Sequence, residues 1–289
     1  MIDLHLHTTA SDGALAPAAL VERARGAGVR TLSVTDHDTM AGVAAASAAA
    51  AARGLELLPG IEITAVHERR DVHMLAYFLD PEPRGLAGFL DAARRDRARR
   101  AREMSAKLEA LGAPIEIEDL VSAAEASGRA VARPTVARAL LDAGHVTSVQ
   151  QAFDRWLADG KPAYVARTGA APVEVVRLVA RAGGVSALAH PGLLRKDELI
   201  PDLARAGLGA IEVFHSEHDA ADRAHYLRMA TEIGLAVCGG SDFHGDDHHR
   251  AACLGRVGLP GERFADLLRC IERAHAAVHG EAVAPGFAR

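Results

Sequence analysis

Met1-Ile2-Asp3-Leu4-His5-Leu6-His7 opens the chain as a short apolar run ending in two histidines two apart. Side chains i and i+2 lie on the same side of a strand, so a strand over Ile2–Leu6 brings His5 and His7 toward one point. Neutral imidazole is the commonest metal ligand, and two at one strand end make half of a metal site. The same pattern, ligand-type residues at the ends of apolar runs, recurs along the chain.

Working outward, apolar strand-like runs alternate with stretches rich in Ala, Leu and Arg. Strands are expected over 2–6, 31–35, 56–58 with 61–64, 72–77, 185–189, 210–214 and 235–238. Helices are expected over 17–26, 41–53, 172–182, 197–206, 220–233 and 264–275. That alternation argues for an α/β fold of βα units around a parallel sheet. About seven strands at this spacing favour a barrel over an open sheet. From 84 to 158 the pattern is helical, with turns at 111–114 and 127–129, and Gly160-Lys161-Pro162 marks the return. The expected organisation is a main domain over 1–83 and 159–289, with a helical insertion over 84–158 lying across the strand ends. The tail after His279 is rich in Gly, Ala and Pro and is expected to fray.

The composition excludes several classes. A net charge of −5 over 289 residues gives no electrostatic support for binding long duplex nucleic acid. An aromatic fraction of 4% counts against an extended base-stacking platform. Cys238, Cys253 and Cys270 show no C-x-x-C spacing, so neither a disulfide scaffold nor a thiolate zinc knuckle is indicated, and a reducing cytoplasm fits. No signal peptide is visible at the start. The Ala-rich run from 41 to 52 is too short and too weakly apolar to span a membrane, and helix propensity explains it better.

In parallel βα proteins, site residues gather where the strands end. Thr35-Asp36-His37-Asp38 closes the second strand, and in Gly60-Ile61-Glu62-Ile63-Thr64 a lone Glu interrupts an apolar one. His73 follows in Val72-His73-Met74-Leu75, then His190 in Ala189-His190-Pro191-Gly192. His215 follows Glu212-Val213-Phe214, and the last motif is Gly240-Ser241-Asp242-Phe243-His244-Gly245. Taken singly, His73 fits a hydrogen-bonded core histidine, Glu62 a carboxylate facing water, and His190-Pro191 a turn. Taken together, buried imidazoles and carboxylates are costly unless paired or metal-bound, so convergence is the better account. A His and carboxylate set without thiolate suits Mn²⁺, Fe²⁺ or Zn²⁺. The ligands outnumber one ion's coordination shell, so two or three adjacent ions are expected with Glu62 as a bridge. Such clusters clamp phosphate esters, activate a hydroxide and stabilise the leaving oxygen.

With these motifs the chain resembles the PHP (polymerase and histidinol phosphatase) family of metal-dependent phosphoesterases. The resemblance rests on Asp3-Leu4-His5-Leu6-His7, Thr35-Asp36-His37-Asp38, Gly60-Ile61-Glu62, Ala189-His190-Pro191 and Gly240-Ser241-Asp242-Phe243-His244. It covers residues 1–79 and 163–257, leaving the helical insertion between. It implies a distorted (β/α)₇ barrel with up to three metals, Mn²⁺ foremost. By that pattern one site takes His5, His7, Glu62 and Asp242. A second shares Glu62 and adds His73 and His190, and a third uses Asp12, His37 and His244. Some relatives carry histidine where Asp12 stands, which implies a third site of different occupancy.

The chain is further similar to stand-alone members that dephosphorylate nucleoside 3′,5′-bisphosphates, and to related exonucleases acting on short 5′-phosphorylated RNA. Thr8-Thr9-Ala10-Ser11-Asp12-Gly13, Arg133-Pro134-Thr135 and Gly160-Lys161-Pro162-Ala163-Tyr164-Val165 carry that similarity. Physically, Pro134 suits a helix's first turn, and the amide-rich N-terminus beside Arg133 and Thr135 makes a phosphate pocket. Arg133, Thr135 and Lys161 are therefore the expected substrate contacts. His37, His215 and Asp242 are the expected catalytic residues, with His37 or His215 as proton source. The Arg-rich run 94–102, interleaved with acids, is expected to be a solvated face with one or two arginines turned inward. His248 and His249 are expected at the surface.

The expected activity is hydrolysis of a nucleotide phosphomonoester, foremost the 3′-phosphate of nucleoside 3′,5′-bisphosphates. The alternatives are 5′→3′ exonuclease action on short oligoribonucleotides and a non-enzymatic metal-binding accessory module. An amidohydrolase would need a bridging Lys where Glu62 stands, and histidinol phosphatase offers no role for Arg133.

Overall fold

The computed structural model describes residues 1–280; the expectation for the tail beyond them lies outside the described residues. The first strand, β1 (Ile2–Leu6), is followed by α1 (Pro17–Gly26), β2 (Thr31–Val34), α2 (Val43–Ala51) and β3 (Glu56–Leu57). Pro17 sits in the first turn of α1, where its missing N–H is harmless. The alanine run packs as α2, burying Ala46, Ala49 and Ala50, whose small side chains let the helix approach its neighbours closely. β1, β2 and β3 pair in parallel as one sheet.

The second sheet departs from expectation. β4 (Gly60–His67) and β5 (Arg70–Tyr77) form an antiparallel hairpin in register from Gly60↔Tyr77 to His67↔Arg70. Its two-residue turn, Glu68-Arg69, has φ of 49° and 65°. Such turns normally carry Asn-Gly or Asp-Gly, so Glu-Arg gave no hairpin signal. β5 also pairs antiparallel with β6 (Val185–Leu188), while β7 (Ala210–His215) and β8 (Ala236–Gly240) continue in parallel. The purely parallel sheet is thus corrected to a mixed one. The reversal matters for His73, which was expected where a strand ends. It lies midway along β5, opposite Thr64, and there meets Glu62 of the neighbouring strand.

Helices α3 (Ala87–Ala110), α4 (Glu118–Ala126), α5 (Arg133–Asp142) and α6 (Val149–Ala152), which runs into a π-helical turn, intervene between β5 and β6. They close over their own apolar core, including Met104, Leu108, Val121, Leu140 and Leu157. After them come α7 (Pro172–Arg181), α8 (Pro191–Leu194), α9 (Ile200–Ala206), α10 (Ala220–Ile233) and α11 (Gly261–His279). Asp219 caps α10 by accepting from the Ala221 and Asp222 amides at 2.8 and 2.9 Å, and Gly234 ends it at φ 83°. Among the described residues no helix is long and apolar enough to cross a membrane.

The ladders run in two sheets rather than one closed ring. The sheets meet at isolated bridges, Leu6↔Phe243 and His37↔Glu62, and at a close approach of β1 to β8. There Asp3, fully buried, accepts from the Ser241 and His5 amides at 2.9 and 3.3 Å. A Cβ on Gly240 would stand 2.4 Å from the His5 nitrogen and 2.6 Å from Asp3 Oδ1. Only glycine lets this seam close. We therefore expect Gly240→Ala to cost about 1–3 kcal/mol by overpacking. A urea unfolding curve should show the lowered midpoint; an unchanged midpoint would contradict the seam.

Candidate metal and phosphate site

The loop after β1 is shaped by Asp36. It accepts from the Thr8 amide and hydroxyl at 2.8 and 2.6 Å and from the Ser11 hydroxyl at 2.7 Å. The loop thereby folds back, with Gly13 so close that a Cβ would meet the His7 carbonyl at 2.3 Å. Asp12 returns over His7, its Oδ1 3.7 Å from His7 Nδ1. The other residues arrive on turns held in unfavourable backbone conformations: Asp38, His190 and Asp242 have φ of 54°, 28° and 53°. For residues other than glycine this is strain, sustained by the surrounding bonds.

Glu62 is the hub. It is 1% exposed, and its Oε2 lies 3.3 Å from both His5 Nε2 and His7 Nε2 and 3.1 Å from His37 Nδ1. Its Oε1 lies 2.9 Å from His73 Nδ1 and 3.2 Å from His190 Nε2. Asp242 Oδ1 stands 3.4, 3.2 and 3.5 Å from His5, His7 and His244. Asp12 faces His37 at 3.6 Å and His244 at 3.5 Å. The nine residues expected as metal ligands therefore converge in one continuous cluster.

Three buried carboxylates, Asp12, Glu62 and Asp242, share the cluster with six imidazoles. Burial alone would raise the Glu62 pKa, but the imidazoles of His37, His73 and His5 hold it well below the usual range. Burial opposes charge on His7, yet the Asp242 and Glu62 carboxylates beside it raise its pKa to about 10. Burial prevails at His37, driving it down to about 3 despite Glu62 and Asp12. His5 Nε2, His7 Nδ1 and Nε2, His37 Nδ1 and His190 Nδ1 are buried without a hydrogen-bond partner. Unpartnered imidazole nitrogens aimed at carboxylates fit divalent cations, which would meet the same demand for positive charge. Among the described residues, three-to-four-residue groups able to hold an ion are His7/Asp12/His37/His244, His5/His7/Asp242, His37/Glu62/His73 and His5/Glu212/His215.

His215 is fully buried at the edge of the cluster. Its Nδ1 accepts from the Glu217 amide at 3.1 Å, and its Nε2 faces Asp242 Oδ2 at 3.3 Å. His37 lines the cavity.

The cluster opens into a cavity of about 700 Å³. Its far wall carries Arg97, Arg100, Arg133, Arg138 and Arg167, with Arg250 beside Asp242. On α3 the helical phase sorts the arginines. Arg97 and Arg100, three apart, are buried on the inner face, while Arg99 and Arg102 pair outside with Asp96, Glu103, Glu118 and Glu125. Asp38 anchors this wall, accepting from Arg97 Nε at 2.6 Å, Arg167 Nη1 at 3.3 Å and the Thr64 amide at 2.8 Å. Arg100 Nη2 is buried without a partner. Of the three expected substrate contacts, Arg133 lines the cavity, whereas Thr135 and the exposed Lys161 are not part of its lining. His248 and His249 do line it, His248 half-buried with its ring 4.9 Å from that of His244. Sequence reading missed Glu212, Arg167 and Arg250. Glu212 alone carried a signal, as an acid two positions inside an apolar strand.

Three comparisons bear on this site. A family model described as PHP domain matches residues 3–110. A 3′,5′-nucleoside bisphosphate phosphatase of Chromobacterium violaceum is 36% identical over 248 residues, 84% of this chain and 87% of that protein. The 5′-3′ exoribonuclease Rnm of Escherichia coli is 34% identical, covering 84% of each. A crystal structure from Bifidobacterium adolescentis, assigned as a metal-dependent phosphoesterase, superimposes with a TM-score of 0.84 at 34% identity, covering 93% of this chain and 96% of that one. With its His/Asp/Glu clusters able to bind metal, the chain belongs to the PHP-domain family of metal-dependent phosphoesterases and is a hydrolase.

Proposed function

We propose that the protein removes a phosphate from nucleotides that carry two, foremost the 3′-phosphate of nucleoside 3′,5′-bisphosphates. The observation that carries this reading is one cavity with a carboxylate–imidazole cluster on one side and buried guanidinium groups on the other. Arg97, Arg100, Arg133 and Arg167 meet the carboxylates of Asp38, Asp71 and Asp159, four guanidinium groups to three acids, so the wall holds surplus positive charge. Such a wall suits a dianionic phosphate that is not the one being hydrolysed. The volume is that of a small-molecule site. The bisphosphatase of C. violaceum supports the choice of substrate.

His5, His7, Glu62 and Asp242 would hold one ion, Glu62 with His73 and His190 a second, and Asp12, His37 and His244 a third, with Mn²⁺ foremost and Zn²⁺ or Fe²⁺ as alternatives. Bound divalent ions supply positive charge to the phosphoryl oxygens and lower the pKa of water. The chain's own residues do the rest. Arg100 and Arg133 bind and orient the second phosphate, and His37 lines the cavity on the cluster side. The insertion, read as residues 84–158, supplies most of the arginine wall. The rest of the chain, read as a distorted (β/α)₇ barrel, supplies the cluster; the two bridges between the sheets support that reading. Unpaired cysteines accord with a cytoplasmic location.

The E. coli relative favours a second reading, 5′→3′ cleavage of short 5′-phosphorylated RNA, in which the same arginines would hold the terminal phosphate. A phosphate-release assay with Mn²⁺ separates the two: faster turnover of a 3′,5′-bisphosphate than of 5′-phosphorylated dinucleotides supports the first, and the reverse order supports the second. Equal rates on 5′-monophosphates would remove the role of the second phosphate.

Two further outcomes are expected. Glu62→Gln should lower kcat by about 10³-fold, because Glu62 would help hold ions that supply several kcal/mol of transition-state charge stabilisation; treatment with a chelator should abolish phosphate release, and Mn²⁺ should restore it. Arg100→Ala and Arg133→Ala should each raise KM for the bisphosphate by about 10- to 100-fold, the worth of a charge-assisted hydrogen bond. Neither should alter hydrolysis of a simple aryl phosphate, which lacks the second group.

A further inference from the structure

Glu212 is a fully buried carboxylate that belongs to none of the three expected ion sites. It sits on β7 with both oxygens engaged in opposite directions. Oε1 accepts from His5 Nδ1 at 2.8 Å, and Oε2 accepts from the backbone N–H of His190 at 2.7 Å. An ionised carboxylate only accepts, so His5 must carry a proton on Nδ1. That leaves His5 Nε2, buried and unpartnered, facing Glu62 and Asp242. On the other side, the bond to the His190 amide holds a turn at φ 28° and ψ 57°, from which His190 Nε2 reaches Glu62 Oε1.

We propose that Glu212 is a positioning residue that prepares two ion sites at once, setting the tautomer of His5 for one and the strained turn of His190 for the other. The proposal rests on the reading of His5 and His190 as ligands. A ligating histidine commonly hands its second ring N–H to a carboxylate, which fixes the ring and raises its basicity. Here one carboxylate does this for a ring of the first site and a backbone turn of the second.

The amide isostere gives a sharp test because the two donors differ. Gln has one accepting oxygen and one donating NH₂. The His190 backbone N–H can only donate, so the Gln oxygen must face it. The NH₂ then faces His5, whose ring can exchange tautomers. His5 Nδ1 becomes an acceptor, and the proton moves to Nε2, the nitrogen that should bind the ion. Glu212→Gln therefore keeps shape and the His190 turn while turning His5 away from metal.

The experiment measures Zn²⁺ affinity and stoichiometry by chelator competition, and records ¹⁵N spectra of histidine-labelled, Zn²⁺-loaded protein. The wild type should show His5 with its proton on Nδ1. Glu212→Gln should retain the wild-type circular dichroism, bind its tightest Zn²⁺ about 10- to 100-fold more weakly, and lose the His5 Nδ1–H signal. Wild-type Zn²⁺ affinity in the variant, or a wild-type His5 protonated on Nε2, would overturn the proposal. If the variant fails to fold, Glu212→Asp, which keeps the charge but withdraws the carboxylate from His5, should bind its tightest Zn²⁺ more weakly by a similar factor, and wild-type affinity there would overturn the proposal. A wild type that takes up no Zn²⁺, Mn²⁺ or Fe²⁺ would instead remove the metal reading itself, so the two failures are distinguishable.

Discussion

A single buried carboxylate with five imidazoles around it organises this protein. Glu62 has almost no exposure to water, and each of its oxygens is shared by two or three rings. A lone carboxylate there would be prohibitive; paired with cationic rings or divalent ions it becomes the most favourable charge in the molecule. The five histidines come from the end of β1, the turn after β2, the reversed strand β5 and the turn after β6. Holding Glu62 in place therefore ties together elements from both sheets.

The way the sheets join reflects the same requirement. A fully hydrogen-bonded ring of strands would have backbone at the rim committed to ladders. Instead the sheets meet through isolated bridges, one of them pairing His37 with Glu62 themselves. The other seam is closed by the Asp3 carboxylate and the absence of a side chain at Gly240. Burial raises Asp3 to about 6, so its ionised form depends on the amides it accepts from. Polar groups close the gap between the sheets beneath the site, and the left-handed turns at Asp38, His190 and Asp242 bring side chains inward from the rim.

Opposite the cluster, Asp38 does for the arginines what Glu62 does for the histidines. It follows His37 directly, so one turn after β2 sends an imidazole to the cluster and a carboxylate to the wall. Fully buried, its pKa is lowered, burial being outweighed by Arg97 and Arg167. The main sheet and the inserted helices are thus fastened by an ion pair at the cavity itself, where Arg97 also bonds Thr64 of β4. Because the guanidinium groups outnumber their acids, the wall stays positive after this structural pairing.

What the chain by itself determined follows from short-range regularities. Strand and helix placement came from apolar periodicity, and the cluster came from ligand-type residues recurring at the ends of apolar runs. Those signals need no knowledge of distant partners, since the identities of His5, His7, Glu62, His190 and Asp242 already state a preference for cations. The hairpin was hidden because its turn is Glu68-Arg69, whose positive φ values are imposed by strand pairing rather than by turn chemistry. The facing of Arg97 and Arg100, the burial of Glu212 and the contact of His215 with Asp242 were also decided only in three dimensions. A charged side chain's role depends on which charge folding brings beside it, and that partner often lies more than a hundred residues away, as Arg167 does from Asp38. Local sequence specifies the groups; tertiary packing chooses their counterions.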